Sequence, residues 1–432
     1  MTPGPRSLQI RVSLVVAIAA GLAALAGLDA RATHGSQTTG DEPYYLLTAI
    51  SLAEDGDLDV SDELGDERFL PFHEIPLDRQ TVPRGPEGRR VSPHDPGLAV
   101  LLAPAMAIDW RVARAIMVLL AAATAGMAAH LAQRRLGAGW LSTLMIVGGG
   151  FVGFPVAAYG TQIYPEMPAA LLVTSAVVVL TRSRPRIWWP LAAVVALPWL
   201  SIKYAPVAGV LALAALAVTW RRERSVVSLL GPIAVLAAGG VVFVAGHLWS
   251  YGGVTAYAAG DHFVESGQLG VVGDVNLLAR SRRLVGLLVD RGFGLAAWSP
   301  VWLLFPVMVG AVAEQIVRKR EAFWQGSGPP AGAVSAAVVV AGWLTATFVA
   351  LTMHGWWVPG RQVIVVVPVA LALMAATGSR VVEGVRVPML AVGSVALAVA
   401  AGAVTWLWLA VEASTGRRTL VVDPGATGAP AY

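Results

Sequence analysis

Apolar runs of helix length, separated by short polar breaks, set the pattern of this chain. A helix crossing a bilayer needs about 20 largely apolar residues. Runs of that kind lie near 9–28, 111–132, 138–158, 167–181, 187–202, 204–220, 226–248, 294–313, 331–352, 361–378 and 387–411. They predict an all-α fold, a polytopic transmembrane helical bundle of about 11 spans within 1–411, followed by a short tail at 412–432. The first run follows Arg6 and Arg11 and is longer than the apolar core of a signal peptide. Ala30-Arg31-Ala32 is a poor cleavage site, so the run predicts an uncleaved first span.

Two polar stretches interrupt the apolar pattern. The first loop, within 29–110, carries fifteen of the 27 acidic residues against six arginines between Asp29 and Asp95. Its prolines, aromatics and histidines predict folded structure on the membrane. Its last part, 96–108 (PGLAVLLAPAMAI), is apolar but too short to span, and fits an interfacial or re-entrant helix. The second loop, 249–293, carries Asp261, Glu265, Asp274 and Asp290 among several arginines.

Arginine placement orients the bundle. Arg134-Arg135, Arg182/Arg184/Arg186, Arg221-Arg222/Arg224, Arg318-Lys319-Arg320 and Arg380/Arg386 follow alternate spans. With the N-terminus cytoplasmic, all five clusters are cytoplasmic, as the positive-inside rule requires. Both long loops and the tail are then outside.

Composition sharpens this picture. Only 13% of residues are charged and 56% are hydrophobic, about half the charge of a soluble domain. The pI of 9.6 does not indicate nucleic-acid binding, because the basic residues sit in loops and form no stripe. Cysteine is absent, which excludes disulfides and thiolate metal sites. Lysine occurs only at Lys203 and Lys319, an arginine bias typical of a GC-rich bacterial genome.

The residues able to carry chemistry gather at the outer ends of the spans. Gly40-Asp41-Glu42-Pro43-Tyr44-Tyr45 opens the first loop, and Pro43 suits the first turn of a helix that Asp41 would cap. The stretch from Tyr44 to Ala53 would then lie on the membrane surface. Gln162-Ile163-Tyr164-Pro165-Glu166 fills a very short outer loop, where an ionisable group is either a helix cap or functional. Lys203 sits between two tight spans, as a snorkelling anchor or a functional cation. In His354-Gly355-Trp356-Trp357-Val358-Pro359-Gly360-Arg361, the tryptophans are expected as interfacial belt residues. Arg361 could hold a phosphate in two bonds, and His354 could pair with a carboxylate or a metal. Asp290-Arg291 precedes the eighth span as an ion pair or phosphate contact, and His94-Asp95-Pro96-Gly97 ends the first loop in a turn. These acidic and basic sites share one face, which suits a cavity handling an anionic, lipid-attached substrate.

This pattern resembles the GT-C superfamily of polyprenyl-phosphate-sugar-dependent glycosyltransferases, which includes protein O-mannosyltransferases and aminoarabinose transferases. Asp41-Glu42-Pro43-Tyr44-Tyr45 matches the family's acidic pair after the first span. His94-Asp95-Pro96-Gly97 is similar to its element before a short apolar helix. Glu166 and Lys203 fall where the family places a second acid and a later basic residue. The resemblance covers about 9–210 in order and topology; the chain has no large C-terminal soluble domain, and the second acid is Glu where Asp is commoner. It implies a multi-pass enzyme of the cell membrane that moves a sugar from a polyprenyl-phosphate donor to a cell-envelope acceptor on the extracytoplasmic side. In that reading Asp41, Glu42 and Glu166 are catalytic, and Lys203, Arg361 and Arg291 bind the donor phosphate. Tyr44, His94, Asp95, Tyr164, Asp290 and His354 are further site candidates. A divalent cation at Asp41 and Glu166 is compatible with two carboxylates and phosphate oxygens. The competing readings are a secondary transporter, which usually places ionisable residues at the midplane, and a scaffold with an acidic outer loop.

Overall fold

The computed structural model describes residues 6–78, 80–84, 88–256, 276–318, 331–350, 353, 355–384 and 388–421. Asp261, Glu265, Asp274, Lys319, Arg320, Arg386, His354 and most of the C-terminal tail fall outside these residues.

In the first half the elements are α1 (Arg6–Leu25), α2 (Glu42–Glu54), α3 (Ser61–Gly65), β1 (Val82–Arg84), β2 (Arg89–Val91), α4 (Gly97–Met106) and α5 (Trp110–Arg134). Then come α6 (Glu166–Leu180), α7 (Trp188–Leu200), α8 (Ala205–Glu223), α9 (Val227–Tyr251), α10 (Ala331–Leu344), α11 (Val367–Gly384) and α12 (Pro388–Ser414). The expected all-α bundle is present. The two three-residue strands form one antiparallel hairpin in the first loop, with Val82 opposite Val91.

Among the described residues, seven helices are long and apolar enough to cross a membrane: Ser7–Leu25, Trp110–Arg134, Ile202–Glu223, Val227–Tyr251, Ala331–Val349, Arg361–Arg380 and Met389–Ser414. The other four predicted runs form shorter apolar helices, Trp140–Val152, Glu166–Leu180, Trp188–Leu200 and Pro300–Gln315. They are shortened by proline, glycine and irregular turns. Pro198 lies inside α7, and the stretch after Trp140 passes through a π-helical turn and ends at Gly153. Segment 96–108 is a ten-residue helix, as its length predicts.

Burial separates central helices from peripheral ones. The apolar window of Arg361–Arg380 is 83% buried, while those of α9 and Met389–Ser414 are 11% buried. The latter two expose Val241, Val242, Trp249, Leu397 and Val404, a surface that lipid, not water, would cover. The bundle is tied together by packing of α1 on α5, α5 on α6 and α7 on α8. The Trp406 indole of α12 donates to the Ala23 carbonyl of α1 at 2.8 Å.

Basic clusters meet at one end of this bundle. Arg135 has Arg182 as a charge neighbour, and Arg222 donates to the Pro185 carbonyl at 3.1 Å. Glu166 begins the helix that leads toward Arg182, so the acidic site lies at the opposite end from these arginines.

The first loop departs from one expectation. Residues 42–51 of α2 are buried all round, so α2 does not rest on the membrane by one apolar face. The helix α4 packs against it, and the Tyr44 hydroxyl bonds the Asp78 carbonyl and the Gln80 amide at 2.7 and 2.9 Å. The loop folds back over its own first helix and covers it.

Candidate active site

Glycine shapes the entry to α2. Gly40 has φ +56°, and a Cβ there would lie 2.9 Å from the Trp356 carbonyl oxygen and the Tyr164 hydroxyl. Only glycine fits such a close approach without strain. Asp41 follows at the N-cap position, but its side chain makes no capping bond. Its Oδ2 instead accepts a hydrogen bond from Arg361 Nη2 at 2.5 Å.

Arg361 joins two acids that lie far apart in sequence. Its Nε donates to Glu166 Oε1 at 3.1 Å, and Lys203 Nζ donates to the same oxygen at 2.7 Å. The result is a line of alternating charge, Asp41–Arg361–Glu166–Lys203. Glu166 is fully buried and Arg361 nearly so, while Asp41 keeps 19% and Lys203 22% of its side chain exposed. Lys203 therefore points inward and does not snorkel. Aromatic rings hold the guanidinium: its carbon lies 4.1 Å from the Tyr164 ring centre and 4.9 Å from that of Trp357. Of the two expected belt tryptophans, Trp356 is exposed, but Trp357 serves this cation–π contact. The two carboxylates that the sequence offers to a metal are both bound by this guanidinium.

Glu42 is built differently from its neighbour. Its Oε2 accepts the Thr39 amide at 3.0 Å and its Oε1 the Ile163 amide at 2.7 Å. The first bond holds the turn that leads into α2, and the second ties α2 to the short loop before α6. Burial pushes the Glu42 carboxyl up to about 7, against the pull of those amides and of Arg114. Asp41 moves the other way. Burial pulls its acidity down, but the charges of Arg361, His94 and Lys203 outweigh this and hold it at about 2.

The other candidates are distributed around this line. His94 Nε2 lies 3.8 Å from Asp41 Oδ1, and its ring stacks on Tyr45. Asp95 faces away from that line, with Oδ1 bonded to His247 Nε2 at 3.0 Å and Oδ2 accepting the Ile202 amide at 2.9 Å. It thus fixes the turn that presents Lys203. Tyr164 donates to the Thr39 carbonyl at 3.1 Å. Asp290 closes a tight turn by accepting the Gly292 amide at 2.8 Å. Arg291 is exposed, and the Phe293 carbonyl that follows takes the Gly360 amide at 3.0 Å, which sets this turn beside Arg361.

Three contributors were not singled out from sequence: Trp357 as a cation–π partner, His247 and Arg114. Arg114 is buried on α5 and donates to the carbonyls of Leu28 and Thr161 at 2.5 and 3.2 Å. His247 and Arg114 lie inside apolar runs, near their ends, where an ionisable residue is itself the signal.

No family model matches the chain, and no curated protein matches it. A solved structure does: ArnT from Cupriavidus metallidurans, bound to undecaprenyl phosphate, aligns with a TM-score of 0.50 at 11% identity. The alignment covers 96% of this chain and 79% of that one. With nearly the whole chain matched, this chain shares the fold of that ArnT structure, a helical membrane bundle of the kind that the sequence resemblance implied.

Proposed function

We propose that this protein is an integral membrane glycosyltransferase. It moves a sugar from a polyprenyl-phosphate donor to an acceptor hydroxyl on the extracytoplasmic face, with inversion. The observation that carries this reading is the pairing of Lys203 and Arg361 on one buried carboxylate oxygen of Glu166. Lys203 also lines a small cleft whose other walls include the apolar Val207, Gly342, Ala346 and Val365. Two cations at one carboxylate, one of them beside apolar side chains, fit a phosphate carried on a lipid chain. The ArnT structure, with undecaprenyl phosphate bound in the same fold, supports the same donor class.

The chemistry follows from the charges. A phosphate leaving group needs charge stabilisation more than a strong acid, and Lys203 and Arg361 supply it in a dry site. Arg291, at the neighbouring turn, joins them as the donor binds. The bond from the anomeric carbon to the phosphate oxygen breaks as the acceptor oxygen attacks from the other side, which inverts the centre. The acceptor proton passes to Asp41. In the donor-free state Asp41 is a weak base because Arg361 holds its charge. A bound phosphate draws on that guanidinium and raises the basicity of Asp41 when it is needed. Glu166 positions both cations, and Glu42 positions the segment that carries Asp41. His94 and Tyr164 border the acceptor side, with Tyr44 and Asp95 shaping the loop behind them.

The test is transfer from a panel of polyprenyl-phosphate sugars to a cell-envelope extract, with wild type, Asp41→Asn and Arg361→Ala in parallel. Asp41→Asn should lose about 10²–10⁴-fold in rate while keeping donor binding. Arg361→Ala should weaken donor binding. Equal transfer by wild type and Asp41→Asn would remove Asp41 as the base. Substrate movement without covalent product would identify a transporter instead.

A further inference from the structure

Behind α2, away from the charged line, the first loop holds a second acidic group. Asp55 caps the C-terminal end of α2, while Asp62 and Glu63 lie in the first turn of α3. One carboxylate oxygen from each comes within 4.8 Å of the other two. Two oxygens bound to one calcium ion at 2.3–2.6 Å are at most about 5 Å apart, so this spacing suits a single ion.

Glu63 distinguishes this group from a solvated acidic patch. It is only 3% exposed, and its enclosed Oε2 has no hydrogen-bond partner among the described residues. A buried carboxylate oxygen without a partner costs free energy unless something meets it. Arg68, the arginine nearby, is held by Glu54 in two bonds of 2.8 and 2.6 Å. Asp57 and Asp59 are also occupied: they accept bonds from Ser51, Ser61 and backbone amides, and so shape the loop between α2 and α3. The C-terminal end of α2 adds the negative pole of a 13-residue helix.

We infer that Asp55, Asp62 and Glu63 form a binding site for a hard divalent cation of calcium size, which fastens α2 to α3. The three carboxylates supply the charged ligands, and water with loop carbonyls completes the 6–8 oxygens that calcium takes. Magnesium fits less well, because it demands closer, near-octahedral ligands. The ion is structural: it closes the far end of the helix whose first turn carries Asp41 and Glu42. The site stands independently of the proposed transfer reaction.

The experiment uses the full chain, purified with chelator and reconstituted in nanodiscs. Calcium and magnesium are titrated separately to ~1 mM, the upper range of extracellular-type calcium sites, with binding read by calorimetry and unfolding by tryptophan fluorescence. Wild type should bind one calcium per chain and melt several degrees higher with it, and magnesium should give a smaller rise. Glu63→Gln and Asp62→Asn should each weaken calcium binding at least tenfold. Asp62 is exposed, so its variant decides the matter if Glu63→Gln fails to fold. Wild type that takes up no calcium, or that binds no better than either variant, overturns the site.

Discussion

Asp41 and Glu42 are adjacent in sequence, yet their surroundings separate their chemistry. Asp41 faces a guanidinium and stays ionised. Glu42 is enclosed on two backbone amides and is held near neutrality. Conservative replacement should therefore act differently at each. Asp41→Asn should lose activity with little loss of folded protein, whereas Glu42→Gln should lose both. Fluorescence-detected gel filtration after heating, beside the transfer assay, checks this contrast. Glu166→Gln tests the centre of the line. It leaves Lys203 and Arg361 without their shared buried counter-charge, and removing one partner of a buried pair costs about 3–5 kcal/mol. The melting temperature of Glu166→Gln should fall well below that of Asp41→Asn, because Asp41 retains solvent access. Equal melting temperatures would show that the line is not a buried network.

Two close approaches fix the elements that hold these residues. Gly40 lets the chain turn into α2 against Trp356 and Tyr164, and Gly97 lets α4 approach α7. A Cβ at Gly97 would lie 2.5 Å from the Trp199 carbonyl oxygen. Backbone oxygen cannot move aside as a flexible side-chain tip can, so both substitutions must displace an element. Gly40→Ala adds a left-handed conformation, with a cost of roughly 1–2 kcal/mol. It should lower activity more than folded yield, because it moves Asp41 relative to Arg361. Gly97→Ala should lower folded yield more, because α4 covers the buried face of α2. Assaying both variants at equal folded concentration separates the two effects.

At the scale of the whole molecule, two buried carboxyls in the first loop couple folding to pH. Glu42 is raised to about 7 and Glu63 to about 8, from an ordinary value of 4.5. Between 4.5 and those values the folded chain holds more protons than the unfolded chain. Their stabilisation is therefore present at low pH and lost as pH rises through about 7–8. Burial lowers His73, which works in the opposite direction, so comparison with variants is the clean test. In chelator, Glu63→Gln should lose less stability than wild type between about pH 5 and pH 8. Calcium, by meeting the ionised carboxylate, should flatten the wild-type curve toward that of the variant. Melting curves at three pH values with and without calcium provide the check.

The sequence alone determined the helical bundle, the places of its apolar helices and the gathering of charged residues near the ends of helices. Those features follow from local hydrophobicity, and a bilayer leaves the backbone few other choices. It also singled out Glu166, Lys203 and Arg361, because a charge at a span end stands out against apolar neighbours, and Asp41 through the motif that opens the first loop. Only the tertiary structure decided that these four form one line, since 320 residues separate Asp41 from Arg361 and no local pattern encodes such a pairing. It also decided between readings that sequence leaves open, since Asp41 pairs with a guanidinium and does not cap and Lys203 turns inward, and it moved Trp357 from the expected belt to a cation–π contact. Those choices rest on which side chains meet across the bundle, and that depends on how the helices pack.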